Sequence, residues 1–183
     1  MVISIAGTLH NVLGLLEHEK PFDFFTRGDE TMTLAEGRVV VPQNTLWDTF
    51  KGMADPKHRI VALRDEACCR VYHLATPPPK EDGEFIRARV ARYRDRLVAE
   101  AGVNPAATRL KLWKLEMRVL ADLCAELNMH LLLSPAEAQT PAGFLKPEYY
   151  GKDATHANDA YGELVLRQLE AVAEATPHAK ETA

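Results

Sequence analysis

The sequence has few cysteines, no long apolar run, no glycine-rich phosphate loop and no excess of positive charge. Each shortage argues against a class of protein. Cysteine occurs only at Cys68, Cys69 and Cys124, with no Cys-x-x-Cys pair. An odd count cannot pair fully within one chain, and adjacent cysteines rarely bridge each other. A disulfide scaffold is therefore not expected, and buried reduced thiols are. No apolar stretch approaches the ~20 residues of a membrane span. Met1 to Ala6 is apolar but has no basic leader, so a cytoplasmic location is expected. The net charge is -4, so no overall field draws the protein to nucleic acid or to an anionic membrane. Gly7 alone does not make a nucleotide loop, and no cofactor is expected. No repeat, low-complexity tract or linker divides the chain.

What is present is an ordinary globular composition, 46% hydrophobic and 26% charged over 183 residues, enough for one core. We read residues 1–175 as one domain and residues 176–183 as a frayed polar tail. Branched apolar runs bounded by turn residues predict strands at Val2 to Ala6, Phe22 to Phe25, Arg38 to Val41, Val71 to Thr76 and Met129 to Leu133. Helices are predicted at Asn11 to His18, from Thr45 to about Cys69 with breaks at Gly52 and Asp55-Pro56, and from Glu84 to Glu100. Another follows Asn104-Pro105, read as an N-cap and first-turn proline, with Leu110, Trp113, Met117, Leu120, Cys124 and Leu127 as its apolar stripe and Asn128 as its C-cap. A terminal helix runs from about Asn158 to Ala173. Strands alternating with helices imply a parallel sheet with chemistry at the carboxyl ends of its strands. Asp23 stands near such an end.

The helices carry many basic residues, among them Arg87, Arg89, Arg109, Lys111, Lys114 and Arg118. Glu84 and Glu116 are interleaved with them, which reads as a solvated face. His73 alternates with Val71 and Ala75 and reads as a core histidine. His10, His73, Asp153 and His156 lack metal-ligand spacing, so no metal is expected.

The segment that carries chemistry is Asp153-Ala-Thr-His-Ala-Asn-Asp-Ala-Tyr-Gly162, between the last strand and the last helix. A histidine three residues after an aspartate can be a general base held in one tautomer by the carboxylate. The same spacing also fits a plain helix-entry turn, with Asp153 or Asn158 as cap and His156 merely exposed.

This block resembles the last conserved block of the SGNH/GDSL hydrolases, which supplies their catalytic aspartate and histidine. The resemblance assigns those roles to Asp153 and His156 and implies a flavodoxin-like three-layer α/β sandwich with a parallel sheet. The strand ending at Pro77-Pro78-Pro79 and the strand ending at Ser134-Pro135 are similar to family strands. The resemblance covers the first strand and Val71 to about Leu169, and matches Phe25 to Cys69 poorly. It implies ester hydrolysis, the substrate being an acyl or acetyl group on a small molecule or glycan.

At the family's nucleophile turn this chain reads Gly7-Thr8-Leu9-His10-Asn11, with Leu9 at the serine position. A leucine has no lone pair with which to attack a carbonyl. The Gly-x-Asn-Asp block is not found, and Asn44 is the one stand-in for its asparagine. Three readings stay open: Thr8 as nucleophile, His156 activating water with His10 stabilising charge, or a catalytically silent SGNH-like ligand-binding or accessory domain. In each, Gly7, Thr8, His10 and Asn11 form the candidate nucleophile or oxyanion turn.

Overall fold

The computed structural model describes residues 1–5, 8–28, 33–55, 58–90 and 102–175. Gly7, Pro56, the second half of the helix expected over Glu84 to Glu100, and the tail 176–183 lie outside the described residues. The architecture is mixed α/β. Strands β1 (Val2–Ile3), β4 (Tyr72–Leu74) and β5 (His130–Leu132) form a parallel sheet in the order β1-β4-β5. Val2 stands opposite Tyr72, which stands opposite His130. Parallel neighbours need crossovers, and among the described residues six helices surround this small sheet: α1 (Leu9–Gly14), α2 (Gln43–Ala54), α3 (Arg59–Glu66), α4 (Gly83–Val90), α5 (Ala106–Glu126) and α6 (Asp159–Ala175).

Two expected strands pair with each other instead of joining that sheet. β2 (Phe22–Asp23) and β3 (Val39–Val40) form their own parallel pair. The reason lies in Asp23. Its buried carboxylate accepts the N–H groups of Phe24 and Ala35, each at 2.8 Å, and pairs with the Lys111 ammonium at 2.9 Å. That anchors β2 to α5 rather than to a sheet edge. Asp23 is thus a structural carboxylate and does not line the cleft described below.

The helix boundaries follow from caps. α2 ends at Asp55, whose carboxylate then accepts the N–H groups of Arg59 (2.6 Å) and Ile60 (3.2 Å) and starts α3. Asn128, with φ 50°, closes α5: its N–H bonds the Ala125 carbonyl and that of Met129 bonds the Cys124 carbonyl. Asn104 does not cap α5. Its amide nitrogen donates to the Gly14 and Leu16 carbonyls and so ties down the end of α1. α1 begins at Leu9, earlier than expected, and packs closely on α5: a Cβ at Gly14 would run into the Leu112 side chain.

Most of the core lies against α5. Leu110, Leu112, Leu115 and Leu120 pack with Phe24, Leu46, Phe50 and Phe144, while Ile3, Ile60, Val71, Cys124 and Met129 cover one face of the sheet. His73 is fully buried in that sheet, its ring nitrogens 2.6 Å from the Ile5 oxygen and 2.9 Å from the Leu74 oxygen. Burial lowers its pKa against the pull of those two carbonyls. Only one cysteine is buried. Cys124 is in the core, where burial pushes its thiol up to about 11, whereas Cys68 and Cys69 are exposed, contrary to expectation. They lie just beyond α3, past the apolar core.

The expectation of a solvated charged face fails on α5. Arg109, Lys111 and Glu116 are buried. Breaking a buried pair strands a charge without a partner. Asp23→Ala is expected to lower stability by about 3–5 kcal/mol in urea unfolding. The pair Asp23→Asn with Lys111→Met, which removes both charges and keeps an acceptor for one of the two N–H groups, is expected to recover part of that. A single-variant loss below about 1 kcal/mol would contradict the assignment.

Candidate functional site

The Asp153–His156 turn sits at the tip of a closed loop. The loop's base is an antiparallel bridge between Tyr150 and Ala157, reinforced by bonds from Gly151 N–H to the His156 oxygen (2.9 Å) and from Asn158 N–H to the Tyr149 oxygen (2.9 Å). Gly151 is required here, since a Cβ would lie 2.6 Å from the His156 carbonyl oxygen. Asn158 caps α6 by accepting the Tyr161 N–H at 3.2 Å, which leaves Asp153 free for another task.

Asp153 turns both carboxylate oxygens onto the loop. One accepts the N–H groups of Thr155 and His156, each at 2.8 Å; the other lies 2.7 Å from His156 Nδ1. Burial alone would raise the Asp153 pKa. The two backbone N–H groups and the His156 ring outweigh it and hold the carboxyl down at about 2. His156 is thus oriented through Nδ1. The ring is largely exposed, and Nε2 has no hydrogen-bond partner among the described residues.

Three consecutive carbonyls of this loop are held by cations. Lys80 Nζ donates to the Gly151 oxygen at 3.1 Å and the Asp153 oxygen at 2.6 Å, and Arg89 Nε donates to the Lys152 oxygen at 2.9 Å. Lys80 is buried between the rings of Phe85 and Tyr150. Burial lowers its pKa to about 8, with Asp153 pulling it up and Arg89 pushing it down. The turn that carries Lys80 is itself fixed by Arg109, which donates to the Lys80 oxygen (2.9 Å) and the Glu81 oxygen (2.8 Å). Lys80 escaped the sequence reading, which took Arg89 for part of a solvated face. Their signals were a lysine directly after the rigid Pro77-Pro78-Pro79 turn, and Phe85 and Arg89 at stacking distance on one helix face.

Among the described residues, an open cleft of about 640 Å³ is lined by Asn11, Val12, Leu15, Leu16, Glu17 and His18 from the α1 side, Arg89 and Val90 from α4, and Asp153 to His156 from the loop. Only part of the predicted nucleophile turn reaches it. Asn11 does. Thr8 is exposed at the start of α1 and does not line the cleft, and its side chain makes no capping bond. Leu9 packs against the core. His10 is buried, its Nδ1 2.5 Å from a Glu116 oxygen. The same carboxylate accepts the N–H groups of Leu9 (3.2 Å) and His10 (3.0 Å). His10 therefore does not stand free to stabilise charge in the cleft, and the Leu9 and His10 amides are already occupied. Asn44 is exposed in the first turn of α2 and does not line the cleft either.

No group of three His, Cys, Asp or Glu side chains among the described residues is placed to hold a metal ion. No helix among them is long and apolar enough to cross a membrane. No protein-family model, curated protein or solved structure matches the chain.

The Asp153 carboxyl has a folded pKa below the unperturbed ~3.9. Its contribution to stability is therefore present above that value and lost as the pH falls through about 2. A carboxyl-carbon NMR titration is expected to give a midpoint near about 2 in the native protein and a higher one in His156→Ala. An ordinary carboxylate midpoint in the native protein would contradict the turn geometry.

Proposed function

We propose that the cleft is the site of an SGNH-like ester hydrolase that uses water in place of a serine. The observation that carries this reading is the held base: Nδ1 of His156 lies 2.7 Å from Asp153, Nε2 has no partner among the described residues, and the residue lines the cleft. Resemblance of the Asp153 to Gly162 block to the SGNH/GDSL family supports it. So does the position of that block between the last parallel strand and the last helix, which is compatible with a flavodoxin-like three-layer sandwich.

In this mechanism His156 Nε2 takes a proton from a water molecule as the water oxygen bonds the acyl carbon of an ester in the cleft. The carbonyl oxygen becomes an oxyanion, for which the candidate donor is the side-chain amide of Asn11, the described residue of the predicted turn that lines the cleft. As the tetrahedral species collapses, the ester C–O bond breaks. His156 returns its proton to the departing alcohol, leaving a carboxylic acid. Asp153 stabilises the imidazolium in between. The substrate is an acyl or acetyl ester of a small molecule or glycan.

A second reading has its own observation. Glu116 occupies the Leu9 and His10 amides, where the family resemblance would put oxyanion donors, and this favours a binding or accessory domain without turnover.

Hydrolysis of p-nitrophenyl acetate and butyrate separates the two. The hydrolase reading expects turnover that falls about 10²-fold or more in His156→Ala. It expects a drop in Asp153→Asn as well, with Thr8→Ala unchanged. Rates equal to those of His156→Ala on both esters would remove it in favour of the binding domain.

A further inference from the structure

We infer that this cleft recognises a small amphiphilic anion, a short apolar body bearing a carboxylate or phosphate, and that Arg89 is the group that binds the charge. The inference rests on reading the cleft as a ligand site, and it holds whether or not the ligand is turned over.

Among the described residues, the charges that face the cleft are Glu17, Arg89 and Asp153, together with the two titratable rings His18 and His156. Both carboxylates are already engaged. Glu17 is paired with the guanidinium of Arg38, and Asp153 is paired with His156. Arg89 is fixed, and no described carboxylate neutralises it. Its Cζ sits 3.2 Å over the Phe85 ring, Nε donates to the Lys152 oxygen at 2.9 Å, and Nη1 donates to the Phe85 oxygen at 3.1 Å. Both acceptors are neutral carbonyls, and no carboxylate among the described residues pairs with it.

A guanidinium carries five N–H donors, so two bonds leave three for a ligand, in the planar fork that suits a carboxylate or phosphate. Its orientation is set in advance by the ring and the two carbonyls, so little side-chain freedom is lost when an anion binds. The apolar lining of the cleft is built by Val12, Leu15 and Leu16 on the α1 side and by Val90 beside Arg89. A purely inorganic anion would leave that lining wet, and a neutral ester would leave the guanidinium without its partner. A ligand with both features uses both. In the hydrolase reading, an anionic group held at Arg89 places the scissile bond of the same molecule near His156.

The test is calorimetric titration of the full chain with hexyl phosphate, hexanoate, hexanol and hexylamine, with the His156 and Asn11 NMR resonances followed in parallel. The two anions are expected to bind about ten-fold or more tightly than hexanol and to shift both resonances, and hexylamine is expected not to bind. Arg89→Met is expected to remove that preference for the anions while leaving hexanol unchanged, and Arg89→Lys to restore part of it. Should Arg89→Met not fold, since it also holds the Lys152 carbonyl, the ligand series on the native protein decides. Hexanol binding as tightly as hexyl phosphate, or anion binding indifferent to Arg89→Met, would overturn the inference. The hydrolase reading fails separately. Anion binding without ester turnover removes that reading and leaves this inference. Turnover of neutral esters with no gain from an added carboxylate does the reverse.

Discussion

The structure depends on the buried charges of one helix. α5 carries Arg109, Lys111 and Glu116 into the interior, and each one fastens a different segment of chain to it. Glu116 takes the first amides of α1 and the ring of His10. Lys111 takes Asp23 and, beyond it, the carbonyls of Phe24 and Thr33. Arg109 takes the carbonyls of the turn after β4. Buried charges are costly unless paired and hydrogen-bonded, so each is compatible with few chain positions. That is how a three-stranded sheet with very short strands can still fix α1, β2 and the proline turn in place.

The candidate site is the far end of this support. Arg109 holds the turn, the turn presents Lys80, and Lys80 holds the loop that carries Asp153 and His156. On the opposite wall, Glu116 fixes the start of α1, whose Asn11 lines the same cleft. Both walls therefore refer back to α5. The same arrangement gives Leu9 its place. A leucine there completes the apolar packing against α5, and the amides beside it satisfy a carboxylate inside the protein rather than an oxyanion in a substrate.

Much of the fold is legible in the sequence because it follows from local rules. β1, β4 and β5 are short apolar runs stopped by turn residues, and Asn128 ends α5 for a conformational reason visible in one residue. The Asp-x-x-His spacing is likewise local, since the turn that joins the two side chains is closed by Asp153 itself. What was not legible is long-range pairing. Arg109, Lys111 and Glu116 read as solvated because acidic and basic residues alternate along the helix. Yet Leu112, Leu115 and Val119 lie outside the single apolar stripe, and a helix segment apolar on so many sides is buried on more than one face. Reading that breadth would have placed the charges inside. It would not have named their partners, because Asp23 lies 88 residues from Lys111 and His10 lies 106 residues from Glu116. The role of Arg89 was hidden for the same reason, since it depends on a carbonyl of the distant loop.

Native-state hydrogen exchange at the Leu9 and His10 amides tests the central claim most directly, because Glu116 is their only acceptor among the described residues. Both amides are expected to be strongly protected in the native protein. In Glu116→Ala they are expected to lose that protection, while Tyr72 in the sheet keeps its own. Rapid exchange of Leu9 and His10 in the native protein would mean that α5 does not hold this turn. The amides would then be open to a substrate, and the turn would again be a candidate oxyanion site.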